Sequence, residues 1–421
     1  MRIAFINQPW NTVVPPVEAG SIAIWTYEVA RRLARDHEVI LYSKREPGQP
    51  GRQSRDGIEF RRFPVGFDRW VERMRKRLRA RTARFSNRPR QTPLFASGSY
   101  YLGYILHAAR DLQSRGVDIV HVHNLVHFPQ VVRTLNPKTA IVLHMHAEWL
   151  DQIPRDRAEQ WLRAVSVLAG CSEYLTGLAC RRFPALAGVC DTIYNGVDPD
   201  RFSPLPPGDG RQGISLLYVG RISPEKGLHV LLDALARLSA ACPQVSLEII
   251  GPDSATPLDF LVRLARDASI AALRRFYPRN YLSQLREQAE TLGLGEGHVR
   301  FAGAVPHAET VHRYRQATLL VNPSLSESFG MSLIEAMACG LPVIATRLGG
   351  MVEVVDDRRT GYLVTPDDPR ALANALLDLI QDPGKRRSMG EAGRRRVLER
   401  FTWDKVTERL IGQYRTAMRQ P

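Results

Sequence analysis

Glu327 and Glu335 are two carboxylates eight residues apart in unlike surroundings. The first falls in a polar loop. The second falls in a helical segment that is apolar almost all round: at roughly 100° per residue, Met331, Leu333, Ile334, Met337 and Ala338 leave little of it facing water. Burying a charged carboxylate without partners is costly, so a group in a cleft is expected to meet Glu335. Gly330 opens this helix, and Gly340-Leu-Pro342 supplies a left-handed cap and a stop. The amides of Gly330, Met331 and Ser332 would then leave its N-terminus, where the dipole favours an anion. Strand-like Thr318–Asn322 precedes the loop and Pro342–Ala345 follows the helix, a βαβ unit whose loop lies at a strand's carboxyl end. Open parallel sheets bind ligands there. A carboxylate for hydroxyls and amides for a phosphate suit a sugar nucleotide.

Strand-like and helical runs alternate along the whole chain, the pattern of parallel α/β sheets. In the first half the strands are expected at Arg2–Ile6, Glu38–Tyr42, Asp118–Val122, Thr139–Leu143 and Ser166–Ala169. In the second they are expected at Ile214–Val219, Ser246–Ile250, His298–Ala302, Thr318–Asn322 and Pro342–Ala345. Asp198–Gly213, rich in glycine and proline, reads as a linker, with the boundary near 195–212. A chain of 421 residues exceeds one ordinary core and suits two α/β domains. Phe401-Thr-Trp403 leads into a final amphipathic helix, with Thr402 as its N-cap.

Three blocks resemble family 4 of the retaining GT-B glycosyltransferases, the glycosyl transferases of group 1. They are Glu327-x7-Glu335 followed by Ala-Met-Ala-x-Gly-x-Pro-Val, Tyr218-Val-Gly-Arg221-Ile-Ser-Pro-Glu-Lys226-Gly-Leu, and Tyr194-Asn-Gly-Val-Asp-Pro-Asp-Arg-Phe202-Ser-Pro204. Phe301-Ala-Gly303, Gly349-Gly350-Met-Val-Glu353 and Gly361-Tyr-Leu-Val364 follow in the family's order. The likeness is strong from about 192 to 407 and weaker before. It implies two Rossmann-like, doubly wound parallel-sheet domains with an interdomain cleft. Residues 1–195 would bind the acceptor and 196–401 the donor, with the helix 402–421 packed back on the first domain.

The resemblance further implies a retaining transfer of a hexosyl or N-acetylhexosaminyl group from a UDP-, GDP- or ADP-sugar to a hydroxyl of a glycan, lipid-linked or small-molecule acceptor. Arg221 and Lys226 would take the charge of the leaving diphosphate. Glu335 would hold the ribose hydroxyls, and Glu327 the transferred sugar, with the amides of Phe329, Gly330 and Met331 nearby. In the first half the family often has two adjacent glycines, where this chain has Ala19-Gly20. Gly20 would close on phosphate and acceptor. His146, after strand Thr139–Leu143, matches the family's histidine near the sugar. His144 would be its neighbour on the opposite face, and His121 and His123 are read as packing or loop residues. Retention is commonly explained by front-face displacement, the leaving phosphate oxygen accepting the acceptor's proton.

No bound cofactor and no essential metal are expected. Asp198-Pro-Asp200 matches a metal-binding Asp-x-Asp in form, but after Asn195-Gly196 a turn is the natural reading. Five cysteines without a Cys-x-x-Cys pair fit a reducing cytosol. No apolar run approaches the roughly 18 residues of a membrane span.

Net charge is +15 and unevenly spread. Between Arg69 and Arg90 there are ten basic residues and one acid, Glu72, while Trp70, Met74 and Leu78 recur every four residues and Phe85 one heptad on. This basic amphipathic helix either packs as a solvated helix on its own domain or meets an anionic membrane from the cytoplasmic side. Nucleic acid is not an expected partner, since no recognition motif accompanies the charge. The stretch 252–281 is long for the family and carries Arg263, Arg266, Arg274, Arg275 and Arg279. It is read as a lid or acceptor-selecting element, or as a peripheral hairpin. A sugar-nucleotide 2-epimerase and a silent sugar-nucleotide-binding partner are the alternative functions.

Overall fold

The computed structural model describes every residue except 19, 84–92, 206–212, 240, 263, 264, 266, 420 and 421, and the backbone alone at 79–83 and 259. The chain divides into two compact units, Met1–Tyr194 with Val406–Pro421, and Asn195–Lys405.

Among the described residues the first unit carries eight strands: β1 (Arg2–Ile6), β2 (Glu38–Lys44), β3 (Arg52–Arg55), β4 (Ile58–Phe63), β5 (Ile119–His123), β6 (Ala140–Met145), β7 (Val167–Gly170) and β8 (Cys190–Thr192). They lie in the order β3-β4-β2-β1-β5-β6-β7-β8. Ladders are parallel except β3 with β4. The inner strands β5 and β6 are buried at every residue, as a parallel sheet covered on both faces requires. The antiparallel β3–β4 hairpin is an addition to the parallel pattern expected. Its turn is Asp56-Gly57, both with left-handed φ, and Arg55 pairs with Ile58 directly across it. Strand order reverses between β1 and β5, so the loops after these strands open at a switch point.

Among the described residues the second unit has six parallel strands: β9 (Ile214–Val219), β10 (Val245–Ile250), β11 (Val299–Gly303), β12 (Leu319–Asn322), β13 (Val343–Thr346) and β14 (Gly361–Val364). Their order is β11-β10-β9-β12-β13-β14, which reverses between β9 and β12. One core joins Leu216, Tyr218, Leu247 and Ile249 of the sheet to Leu228, Leu231 and Leu235 of helix Leu228–Ser239 and to Leu376 and Leu379 of helix Pro369–Gln381. The latter helix starts where Asp368 accepts the amides of Arg370 and Ala371 and Pro369 takes the first turn.

Helix Trp403–Arg419 is capped by the Thr402 hydroxyl, which accepts the Lys405 amide at 3.3 Å. From Val406 onward it clusters with the first unit, where Gln413 donates to the Thr192 carbonyl and Arg409 pairs with Asp191. Among the described residues no helix is long and apolar enough to cross a membrane.

Candidate active site

The switch point of the second sheet brings together the loops after β9 and β12. Ser223-Pro-Glu-Lys226 forms a tight turn that ends at Gly227, φ +66°. A Cβ on Gly227 would come within 2.1 Å of the Pro323 carbonyl oxygen, so only glycine lets the turn press on the β12 loop. Across this contact the Lys226 ammonium donates to Glu327 Oε2 at 2.7 Å. The Phe329 amide lies 3.5 Å from Glu327 Oε1. Burial pushes the Glu327 carboxyl up, but the charge and hydrogen bond of Lys226, the Phe329 amide and Arg221 outweigh it and hold the group below the ordinary carboxylate range. Glu327 is therefore an anion at neutral pH. Gly349 sits beneath its loop with φ +54°, and a Cβ there would meet the Glu327 carbonyl oxygen at 1.9 Å. The Gly350 amide donates to that same carbonyl.

Arg221 is held by a residue that sequence reasoning did not single out. Glu225 is almost fully buried, and its carboxylate accepts from the Ser223 hydroxyl, the Thr256 hydroxyl and, at 3.2 Å, the Arg221 guanidinium. Arg221 also donates to Thr256 Oγ1 at 2.9 Å and to the Ser254 carbonyl at 3.3 Å. The long stretch after β10 thus contributes directly to the setting of Arg221. Val262, Ile270 and Leu273 of the same stretch pack on Leu325 of the β12 loop. Arg274, Arg275 and Arg279 are exposed, and Arg263 and Arg266 lie outside the described residues.

Helix Met331–Ala338 begins at Gly330, φ +97°, directly after the Glu327 loop, so the amides of its first turn leave the same end of the sheet. It closes with Gly340 in the left-handed region and the Leu341 amide on the Ala336 carbonyl. Phe329 is buried against Phe401, ring centroids 5.7 Å apart. The buried Glu335 is met inside the unit and needs no outside group to satisfy it. His307 Nε2 lies 2.8 Å from Oε1, and the fully buried Tyr314 hydroxyl donates to Oε2 at 2.7 Å. Phe202 packs on both rings. Each carboxylate oxygen keeps a second lone pair. Asp198 caps a turn by accepting the amides of Asp200 and Arg201.

In the first unit, Gly20, φ +84°, opens helix Ser21–Leu33. Ala19 lies outside the described residues. The helix presents Trp25 and Thr26 to His121, His123 and His144 of β5 and β6 and to His146 just after β6, His123 being in register with His144. His144 is not on the opposite face from His146: alternate residues of a strand share a face, and the two ring centroids lie 4.0 Å apart. His121 and His123 are more than packing residues. His121 joins Tyr414 (2.9 Å) to His144 (3.3 Å), and His123 joins Thr26 (3.1 Å) to His146 (3.0 Å). The Thr26 hydroxyl donates its one proton to the Ile22 carbonyl, so it accepts from His123 Nε2–H. A neutral His123 then accepts at Nδ1 from His146 Nε2–H, which leaves a lone pair on His146 Nδ1. The His146 backbone amide is fixed by Asn124 Oδ1 at 2.6 Å.

His121, His123 and His144 also offer one ring nitrogen each within 4.8 Å of one another, a grouping able to hold a metal ion. Binding there would have to break the histidine–histidine hydrogen bond and its relatives just described.

Burial, reinforced among the first three by repulsion between rings, pushes the imidazoles of His121, His123 and His144 far down, and burial takes His146 to about 3. Burial takes His127 to about 4 against the raising effect of its bond to the Tyr100 carbonyl. Unfolded, each ring gains a proton near its ordinary value of about 6.5. Below that pH the unfolded chain binds more protons than the folded one. Stability is therefore fully present above about pH 6.5 and is lost as pH falls towards the folded values, by up to about 1.4 kcal/mol per pH unit and ring. Calorimetry is expected to show Tm falling steeply between about pH 7 and pH 5; a flat Tm there contradicts the neutral packing.

The chain has known relatives at both levels of comparison. Residues 22–201 match the family described as Glycosyltransferase Family 4, and residues 209–396 the family described as Glycosyl transferases group 1. Spore coat protein SA of Bacillus subtilis (strain 168) is 26% identical over 98% of this chain and 99% of its own length. D-inositol 3-phosphate glycosyltransferase of Thermobifida fusca (strain YX) is 35% identical over 54% of this chain, which spans only 50% of that relative. The solved structure of Anabaena Alr3699/HepE in complex with UDP has a TM-score of 0.71 to this one at 20% identity, covering 99% of this chain and 100% of that one, a likeness of fold.

Proposed function

This chain is a glycosyltransferase of the GT-B fold, resembling family 4 and group 1, and on that premise we propose that it is a retaining enzyme that moves a hexosyl or N-acetylhexosaminyl group from a nucleotide diphosphate sugar to a hydroxyl acceptor. The observation that carries the reading is the Lys226–Glu327 pair at 2.7 Å, set beside Arg221 at the switch point and at the start of helix Met331–Ala338. Breaking the glycosidic C–O bond leaves the electron pair on the diphosphate and positive charge on the sugar. Lys226, Arg221 and the amides of Gly330, Met331 and Ser332 are the groups suited to the first, and the anionic Glu327 to the sugar's hydroxyls. Glu335, oriented by His307 and Tyr314, keeps lone pairs for ribose hydroxyls. In the first unit, His146 Nδ1 is suited to accept from a sugar hydroxyl, and Gly20 admits close approach of a phosphate. The acceptor oxygen attacks from the face the diphosphate leaves, and its proton passes to the departing phosphate oxygen.

With two cations on the diphosphate, no metal is assigned a step. The UDP bound by Alr3699/HepE supports a nucleotide donor. The acceptor is proposed to be met at the inner face of an anionic membrane, a reading the basic helix supports. The test is proton NMR of the product's anomeric centre with EDTA present. A retained configuration at an undiminished rate is expected. Inversion contradicts the mechanism, and loss of turnover that manganese restores contradicts metal independence.

A further inference from the structure

Helix Gly66–Ala83 is amphipathic with its polarity turned inside out. Its two acids face the protein. Asp68, 6% exposed, accepts the amides of Gly103 at 2.8 Å and Tyr104 at 3.1 Å, which caps helix Leu102–Gln113. A Cβ on Gly103 would stand 2.9 Å from both carboxylate oxygens, so this docking depends on close approach. Glu72 is likewise buried, and Arg75 bonds Glu72, Ser97 and Ser99. Large apolar side chains face out instead: Phe67 is 71% exposed, Trp70 53%, Leu78 56% and Met74 38%. Their spacing of three or four residues places them in one stripe. The Phe67 and Trp70 rings stack with centroids 6.0 Å apart. Arg69, Arg73, Lys76 and Arg77 are exposed beside the stripe.

We propose that the outward face of this helix docks the protein on an anionic lipid surface, Phe67, Trp70 and Met74 entering the acyl boundary and Arg69, Arg73, Lys76 and Arg77 meeting lipid phosphates. A solvated helix packed on its own domain would turn its apolar stripe inward, and here the acids are inward. A second copy of the chain fits poorly, because a symmetric contact would set this cationic face against itself. Aromatic side chains flanked by arginines match the boundary between headgroups and acyl chains, and the lack of an outward acid on the described part of the helix matches negative charge. The assignment gives the lipid contact of the proposed function its residues, and it does not depend on the transfer chemistry.

The full-length protein is to be sedimented with vesicles of phosphatidylcholine alone and of phosphatidylcholine with an equal part of phosphatidylglycerol. Wild type is expected to bind the anionic vesicles at least about tenfold tighter than the neutral ones. Phe67→Ser with Trp70→Ser, and separately Arg73→Glu with Arg77→Glu, are each expected to weaken that binding at least about tenfold. Tm and donor hydrolysis should stay unchanged, since these side chains are exposed and outside the candidate site. The proposal is overturned if wild type ignores anionic vesicles, if both double variants bind as wild type does, or if the serine variant instead abolishes a dimer seen in ultracentrifugation. Lipid binding in a protein that hydrolyses no donor would uphold the docking face and count against the transferase reading alone.

Discussion

Lys226→Ala is expected to lower turnover at least about 100-fold, roughly 2.7 kcal/mol of transition-state stabilisation, because the diphosphate loses a cation as its charge develops. The same change strips Glu327 of its partner in a pair whose side chains are 15% and 19% exposed. Burial would then act on the Glu327 carboxyl unopposed by Lys226, and its pKa should rise from its depressed value. A loss of about 1–3 kcal/mol in stability accompanies an orphaned, mostly buried charge. Lys226→Ala with Glu327→Gln separates the two effects: stability should recover towards wild type while turnover stays low. A single variant within about threefold of wild-type turnover would remove Lys226 from the chemistry.

Glu335→Ala is the second large effect. It leaves the fully buried Tyr314 hydroxyl and His307 Nε2 without their acceptor, which should cost about 2–4 kcal/mol in denaturant unfolding. Donor KM should rise about tenfold or more, the value of a charge-assisted hydrogen bond to a ribose hydroxyl. Glu335→Gln keeps an acceptor oxygen for Tyr314, so most of the stability should return while KM stays raised. If KM is unchanged in both variants, Glu335 is a structural acid and the ribose is held elsewhere.

How legible each element was depended on how locally its reason is written. Strands buried at every residue, such as β6, β12 and β13, were readable as near-continuous apolar runs. Arg52–Arg55 escaped because all four residues are exposed and polar. Its only local signal was Asp56-Gly57, a hairpin turn pair. The three-residue β8 is too short for periodicity to mark, and β14 was noted only as the block Gly361-Tyr-Leu-Val364, not as a strand.

In the site, Glu327 and Lys226 were legible through spacing and resemblance, whereas Glu225 was not. Its place as an anchor for Arg221 rests on Thr256, a partner supplied by a segment whose packing the sequence does not state. Glu335 was correctly read as buried, but its partners His307 and Tyr314 come from a helix 21 to 28 residues upstream with no motif to announce them. The histidine chains depend on the register of β5 against β6, which pairing decides and composition does not. The basic helix was read between two alternatives, and the inward turn of Asp68 and Glu72, on which the proposed lipid face rests, is a tertiary fact that composition does not state.

The most direct test of the central claim is donor hydrolysis, followed together with thermal stabilisation, across UDP-, GDP- and ADP-sugars without added metal. One donor that both raises Tm and releases its nucleotide slowly in wild type, with release abolished in Lys226→Ala, is the expected result. No stabilisation and no release with any of them would contradict a donor site built on Arg221, Lys226 and Glu327.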